Sequence, residues 1–458
     1  MTFARRSLVG ICLAVALVLV GGAASSRGVR HTGHTGALAY TNSRLHTKFL
    51  KTGDAPPSDA FCRSLGFPCY SPQEIRHAYG VDKLTDAGTT GTGQSIVIID
   101  SFGSPTLAND LATFDAGYGL PAPPSLTVLS PLGTVPFDPD NGDMVGWAFE
   151  TTLDVEWAHA MAPGASIVVL TSPVSETEGV QGMPEFAALI KYALDHHLGQ
   201  IISQSWGATE NTLFSPEGQQ VISDFEALYA RAAAQNVTVL ASSGDTGSTN
   251  YDENFDLYPY PVVGFPASSP LVTSVGGTSL YADTQGNYQS ETVWGSPTGP
   301  FGYCGAGGGG VSQVFSEPLY QHFVWGPQQA LLGNHRGMPD VSWIADPCQG
   351  ILTYNGFIPG GEGWYFIGGT SEGSPQWAGL VADLNQLARH PLGFLNPLLY
   401  SLGALHTGFH DVTVGNNADL ETTVPGYDAV PGWDLATGWG SPNVPLLLRR
   451  IALSAAGG

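Results

Sequence analysis

The chain has 458 residues, with 39 Asp and Glu against 16 Lys and Arg, for a net charge of −23. Its 43% hydrophobic and 10% aromatic content can build a core, which excludes a disordered acidic chain. The 60 Gly follow no three-residue period, which excludes collagen, and the acidic balance excludes a phosphate backbone as partner.

Residues 1–24 read as a secretory signal peptide. Arg5 and Arg6 form its positive start, Leu8 to Val20 its apolar stretch, and Gly22-Ala23-Ala24 a small-residue cleavage site. The apolar run is shorter than the roughly 20 residues of a spanning helix, so secretion without a membrane anchor is expected. Residues 25–70 are polar, carry His31, His34 and Pro56-Pro57, and read as a loose leader or short pro-segment.

From residue 71 to 458 the pattern is that of one domain. Ser95–Ile99, Ser166–Leu170, Gln200–Ser203, Val237–Ala241 and Leu271–Val275 are short runs rich in Val and Ile, as in strands buried on both faces. Helices are expected over Phe149–Ala160, Glu185–His197, Glu217–Gln235 and Pro375–Arg389, the last with Pro in its first turn. Strands alternating with helices predict an α/β fold with a mostly parallel central sheet and helices on both faces.

Cys12 lies in the signal, which leaves Cys62, Cys69, Cys304 and Cys348 in an oxidising setting. Three pairings are open. Cys62–Cys69, closing a short loop, with Cys304–Cys348 is the expected one; no His stands at the spacing a zinc finger needs. Between Leu84 and Leu448 the basic residues are Lys191, Arg231, Arg336 and Arg389, against 35 acids. These carboxylates repel one another at neutral pH and lose that repulsion on protonation, which suits an acidic medium.

Three segments fall where α/β sheets bind ligands, beyond the carboxyl ends of strands. Gly368-Gly369-Thr370-Ser371-Glu372-Gly373-Ser374-Pro375 places a Ser in a glycine-rich turn before a helix, where N–H groups and the helix dipole favour an oxyanion. Glu150 and Asp154 are i and i+4 on a helix, so both carboxyls point one way and can share a proton. Ser242-Ser243-Gly244-Asp245-Thr246-Gly247-Ser248 puts an Asp in a tight turn directly after a strand. Taken singly, each has a plainer reading: a Ser cap, a solvated acidic face, and an Asx-turn.

Together they resemble the sedolisin family of serine-carboxyl peptidases, whose fold is subtilisin-like. Ser71–Tyr79, Glu150–Ala165 (ETTLDVEWAHAMAPGA), Phe265–Thr278 (FPASSPLVTSVGGT) and Arg336–Gly350 (RGMPDVSWIADPCQG) resemble blocks of the same family in the same order. The resemblance implies that Ser371 is the nucleophile, Glu150 its general base, Asp154 the partner that tunes Glu150, and Asp245 the donor to the oxyanion. Residue chemistry agrees, because a Glu with an ordinary pKa of about 4.3 is a base in acid, where an imidazole is protonated. A carboxyl donates to an oxyanion only while protonated.

The resemblance also implies one structural Ca²⁺, held by the carboxylates of Asp411 and Asp434 and the carbonyls of Val412, Val430 and Gly432. Hard oxygen donors suit that ion. Asn416, Asn417 and Asp419 are further oxygens nearby. The expected protein is a secreted monomer that hydrolyses polypeptides. Two other readings compete: a binding protein on a decayed peptidase scaffold, and a subtilisin-type triad using Asp100, for which His159 lacks the glycine-flanked setting. Family members usually carry a long folded propeptide; here about 45 residues, unpatterned, lie between signal and domain.

Overall fold

A computed structural model describes residues 47–448 apart from 296, 297, 300, 301, 325 and 326. The signal peptide, Cys12, His31, His34 and the first part of the leader lie outside the described residues. Where the leader enters them it departs from the sequence reading. Lys48–Thr52 form strand β1 and Asp59–Ser64 helix α1. Ser58 caps α1, accepting from Phe61 N, and Cys62 closes a disulfide on Cys69. This part of the leader is therefore structured, because β1 finds a sheet edge and α1 a disulfide.

Helix α2 (Pro72–Tyr79) begins with a reciprocal cap between Ser71 and Glu74 and has Pro at its first turn. The main sheet then builds from β2 (Ser95–Ser101), β3 (Leu126–Leu129), β4 (Ser166–Ser172), β5 (Ile201–Gln204), β6 (Thr238–Ser242), β7 (Thr273–Ala282) and β8 (Tyr288–Val293). Among the described residues it has eight strands, in the order β8-β7-β6-β5-β2-β4-β3, with β9 (Val341–Ile344) also on β7. All pairings are parallel except β7 with β8. A smaller antiparallel sheet joins β1 to β11 (Gly363–Ile367), which also pairs with β10 (Ile351–Asn355).

Alternation along the strands divides the interior in two. Ile96, Ile98, Ile167, Val169 and Leu240 face one core, and Val97, Ile99, Val168, Leu170 and Val239 the other. Phe114 of α3 (Leu107–Tyr118), Leu153 and Trp157 of α4 (Gly142–Met161) and Trp377 and Leu380 of α7 (Thr370–Ala388) fill the first. Phe186 and Leu189 of α5 (Met183–His196) and Phe225 and Tyr229 of α6 (Pro216–Ala234) fill the second. The sheet is thus covered on both faces. Both expected disulfides are present, the second being Cys304–Cys348. No helix among the described residues is long and apolar enough to cross a membrane.

All four expected helices begin earlier than the sequence reading has them, α4 and α7 by more than a turn. Asn141 caps α4 by accepting from Asp143 N and Met144 N, so α4 starts well before Phe149. Helix α7 starts at Thr370, so Pro375 lies inside it rather than in its first turn. Proline has no N–H to give the carbonyl four residues back, which here is Ser371 O. The Ser205 hydroxyl reaches that carbonyl instead, at 3.4 Å.

Many carboxyls are buried, and burial disfavours their charge. It lifts Asp110 and Asp346 to about 6 and Glu178 to about 8. A carboxyl raised above its unfolded value keeps a proton that the unfolded chain releases. Its stabilising contribution is complete below the unfolded pKa of about 4 and is lost as pH rises through the folded value. The carboxyls held low, Asp195, Asp252, Asp283 and Glu362, are at least partly exposed and so screened. The melting temperature is expected to be highest near pH 4 and to fall as pH rises through 6 to 8. Calorimetry across that range checks this, and a melting temperature that rises with pH contradicts it.

Candidate active site

The three sequence segments converge at the carboxyl ends of the central strands. Asp100 lies near the end of β2, Ser205 just after β5 and Asp245 just after β6. Helix α4 delivers Glu150 and Asp154, and the first turn of α7 delivers Ser371. The two helices cross closely at Gly379, where a Cβ would lie 2.5 Å from Met161 Cβ and 2.9 Å from Ala158 O. At the start of α7, Gly369 takes φ +128°, a conformation closed to most side chains, while its N–H donates to Ala345 O at 2.7 Å.

Ser371, Glu150 and Asp154 have no exposed surface and Asp245 only 1%. The reading of Glu150 and Asp154 as a solvated acidic face is therefore excluded. Burial raises the Glu150 carboxyl well above its ordinary range. The Ser371 hydroxyl offsets this in part, the charges of Asp100 and Asp245 add to it, and the Ser205 hydroxyl also opposes it. Burial likewise raises Asp154, reinforced by Asp100 and Glu150, and Ser205 Oγ donates to Asp154 Oδ1 at 2.8 Å. Asp100 is itself pushed up to about 7 by burial, which the nearby Thr151 hydroxyl opposes. The charges of the three carboxyls disfavour one another.

Asp245 is no local Asx-turn. Its Oδ1 accepts from Thr370 N at 2.7 Å and Thr370 Oγ1 at 2.8 Å, both from the first residue of α7. Burial lifts it to about 7 although both Thr370 bonds pull it down. Glu372, the residue after Ser371, is wholly buried too; burial raises its carboxyl well above its ordinary range, and the charges of Asp346 and Asp245 add to this.

His159, the histidine a subtilisin-type triad would require, is turned away. Its Nε2 lies 2.8 Å from Pro121 O and 3.2 Å from Asp115 Oδ1. The sequence assigns no role to Ser205 or Thr370, and it places Asp100 at a strand end as a cap or a cleft residue, or in the competing triad. The available signal for Ser205 was its place directly after a buried strand, beside the strand that carries Asp100. The aromatic and acidic sequence Tyr251–Tyr260, which follows the Asp245 turn, is divided between core and surface, with Tyr251 buried and Tyr260 45% exposed.

The residues expected to hold Ca²⁺ come from two chain segments, 411–412 and 430–434, which hydrogen bonds bring together. Gly432 N donates to both Asp411 oxygens, at 3.2 and 3.0 Å, and Val430 N to Asp434 Oδ2 at 2.9 Å. A cavity of about 80 Å³ opens beside Asp411 and Gly432. Two carboxylates with the carbonyls of Val412, Val430 and Gly432 make an all-oxygen donor set, which fits a hard cation. Asn416 and Asn417 brace the neighbouring loop through Ala418 N, Asp428, Tyr427 N and Gly307 O. A second cluster, Cys304, Asp346 and Cys348, has both sulfurs in the disulfide and so no thiolate for a metal.

No family model matches the chain. Kumamolisin from Bacillus sp. (strain MN-32) is 38% identical over 402 residues, covering 87% of this chain and 66% of kumamolisin. Sedolisin from Pseudomonas sp. (strain 101) is 31% identical over 354 residues, covering 76% of this chain and 56% of sedolisin. The chain therefore spans about two thirds or less of these relatives' length. A solved structure of Pseudomonas sedolisin, a serine-carboxyl proteinase complexed with two molecules of pseudo-iodotyrostatin, superposes with a TM-score of 0.69. It is 30% identical, and the match covers 84% of this chain and 98% of that one.

Proposed function

The chain belongs to the sedolisin family, of subtilisin-like fold, and from that premise we propose that it is a secreted peptidase that hydrolyses polypeptides in acid. The observation that carries this reading is Ser371 in the first turn of α7, beside the Glu150 carboxyl and close to that of Asp245. Secretion is supported by the N-terminal residue pattern and by two disulfides, which persist in oxidising compartments.

In this mechanism Ser371 Oγ attacks the scissile carbonyl carbon and gives its proton to Glu150. The carbonyl π pair moves to oxygen, where the protonated Asp245 carboxyl donates a hydrogen bond. Collapse expels the amine, which takes the proton from Glu150 and leaves an acyl-enzyme on Ser371. Water then repeats the sequence on the ester and frees Ser371. Asp154 and Asp100 hold negative charge or protons beside Glu150, so the proton that leaves Ser371 enters a coupled group. The Ser371 and Ser205 hydroxyls favour the ionised Glu150 needed for the first step.

The donor sets the alkaline limit. Asp245 must hold its proton, and it loses that proton as pH rises through about 7. Activity on a denatured protein is expected in acid and to decline above pH 7; an optimum on the alkaline side contradicts a carboxyl donor. Ser371→Ala is expected to lower kcat by more than 10³-fold while leaving the melting temperature within a few degrees, which product analysis by mass spectrometry with calorimetry reads. Full turnover in that variant would sink the assignment.

A Ca²⁺ ion would be held by Asp411, Asp434 and the carbonyls of Val412, Val430 and Gly432, where it would tie residues 411–412 to the 430–434 loop. Its role is structural, since Asp434 also caps Ala436 N and Thr437 N in the fold. EDTA is expected to lower the melting temperature, and excess Ca²⁺ to restore it. An unchanged melting curve argues against the site.

A further inference from the structure

Asp245 is held unevenly. Its Oδ1 takes two short bonds, from Thr370 N at 2.7 Å and Thr370 Oγ1 at 2.8 Å. Its Oδ2 is fully buried and has no hydrogen-bond partner. The Thr370 hydroxyl is itself oriented, because it accepts from Gly244 N at 3.0 Å, which leaves its own proton to point at the carboxyl or, at 3.2 Å, at Gly244 O. A carboxyl oxygen that already accepts two donors is a poor seat for a proton, whereas a buried oxygen with no donor is costly to leave charged.

We propose that Thr370 is a positioning residue that selects which oxygen of Asp245 carries the proton: its N–H and hydroxyl occupy Oδ1, so that Oδ2–H is the group presented to the substrate oxyanion. Thr370 adjoins Ser371 in the chain. The clamp therefore fixes the donor to the same helix turn that carries the nucleophile. The other charged groups that act with Asp245 are Glu150 on α4 and Glu372 on α7, both carboxyls, and each disfavours a negative Asp245. The inference rests on Asp245 being the oxyanion donor.

Thr370→Val keeps the N–H and the side-chain shape but removes the hydroxyl, and Thr370→Ser keeps the hydroxyl. Loosening an oxyanion donor should lower kcat about 10- to 100-fold in Thr370→Val, with KM within about twofold. Thr370→Ser should stay within about threefold of wild type. Affinity for a peptide aldehyde, which forms the tetrahedral adduct, should fall in step with kcat. The hydroxyl bond favours ionised Asp245, so its loss should also move the alkaline limb of the pH profile upward, which general damage to the fold does not do.

In an Asp245→Ala background, Thr370→Val should cost less than about twofold. Wild-type kcat in Thr370→Val, a loss confined to KM, or equal losses in the Val and Ser variants overturn the proposal. If Thr370→Val does not fold, neutron diffraction of wild-type crystals in acid decides: a deuteron on Oδ2 supports the clamp and one on Oδ1 overturns it. If Asp245→Ala retains wild-type kcat, the proposed mechanism fails; if Asp245→Ala is inactive and Thr370→Val fully active, the clamp alone fails.

Discussion

Carboxyls buried together, with no salt bridge to a cation among the described residues, are the constraint on which this structure depends. Asp100, Glu150, Asp154, Asp245 and Glu372 are all at 0–1% exposure. An ionised carboxylate in such a place costs several kcal/mol unless it is paired. The cations lie elsewhere. Arg336 forms a buried pair with Asp340 at 2.6 Å, and Lys191 and Arg231 both reach Asp195. The cluster must therefore hold protons, and a fold that tolerates it tolerates acid for the same reason.

The architecture keeps the cluster in place by bringing its members from separate rigid elements. Three come from strand ends or helix α4, and two from α7 and the loop after β6. Two close approaches do most of the positioning. Gly379 lets α7 lie against Met161 and Ala158 of α4, which fixes Ser371 relative to Glu150. Pro375 withholds an N–H from Ser371 O, and Ser205 Oγ lies within reach of both that carbonyl and Asp154. A local irregularity of the helix is thereby tied to the acid pair on the facing helix.

Much of this was legible in the sequence, and the reasons are specific. The apolar runs at 95–99, 166–170 and 237–241 are strands because a doubly covered sheet needs Val and Ile on both faces, a pattern visible without partners. The spacing of Glu150 and Asp154 showed a shared helix face, but not that the face is buried, since an acidic pair on a helix usually faces water. The sequence places the start of α7 too late because Pro375 suits a first-turn position. What fixes the start is Gly369, whose backbone angle no sequence pattern displays. The strand at 48–52 was missed because its partner, Gly363–Ile367, lies more than 300 residues later. Ser205 and Thr370 were missed because their importance lies in contacts with Asp154 and Asp245, which are remote in the chain.

The choice of hydroxyls as partners follows from the constraint. A Lys or Arg beside Asp245 would pull its pKa down and hold it ionised, which would turn a hydrogen-bond donor into a repelling charge. The same cation beside Glu150 would hold it ionised and oppose the proton it must receive. A hydroxyl donates to a carboxylate and accepts from a carboxylic acid, so it serves both protonation states. Ser205 beside Asp154, Thr151 beside Asp100 and Thr370 beside Asp245 are such groups. Each lowers the pKa of its partner without abolishing the protonated form. A site in which protons pass among carboxyls can use hydroxyl neighbours throughout, and the scarcity of basic residues in the chain is consistent with that requirement.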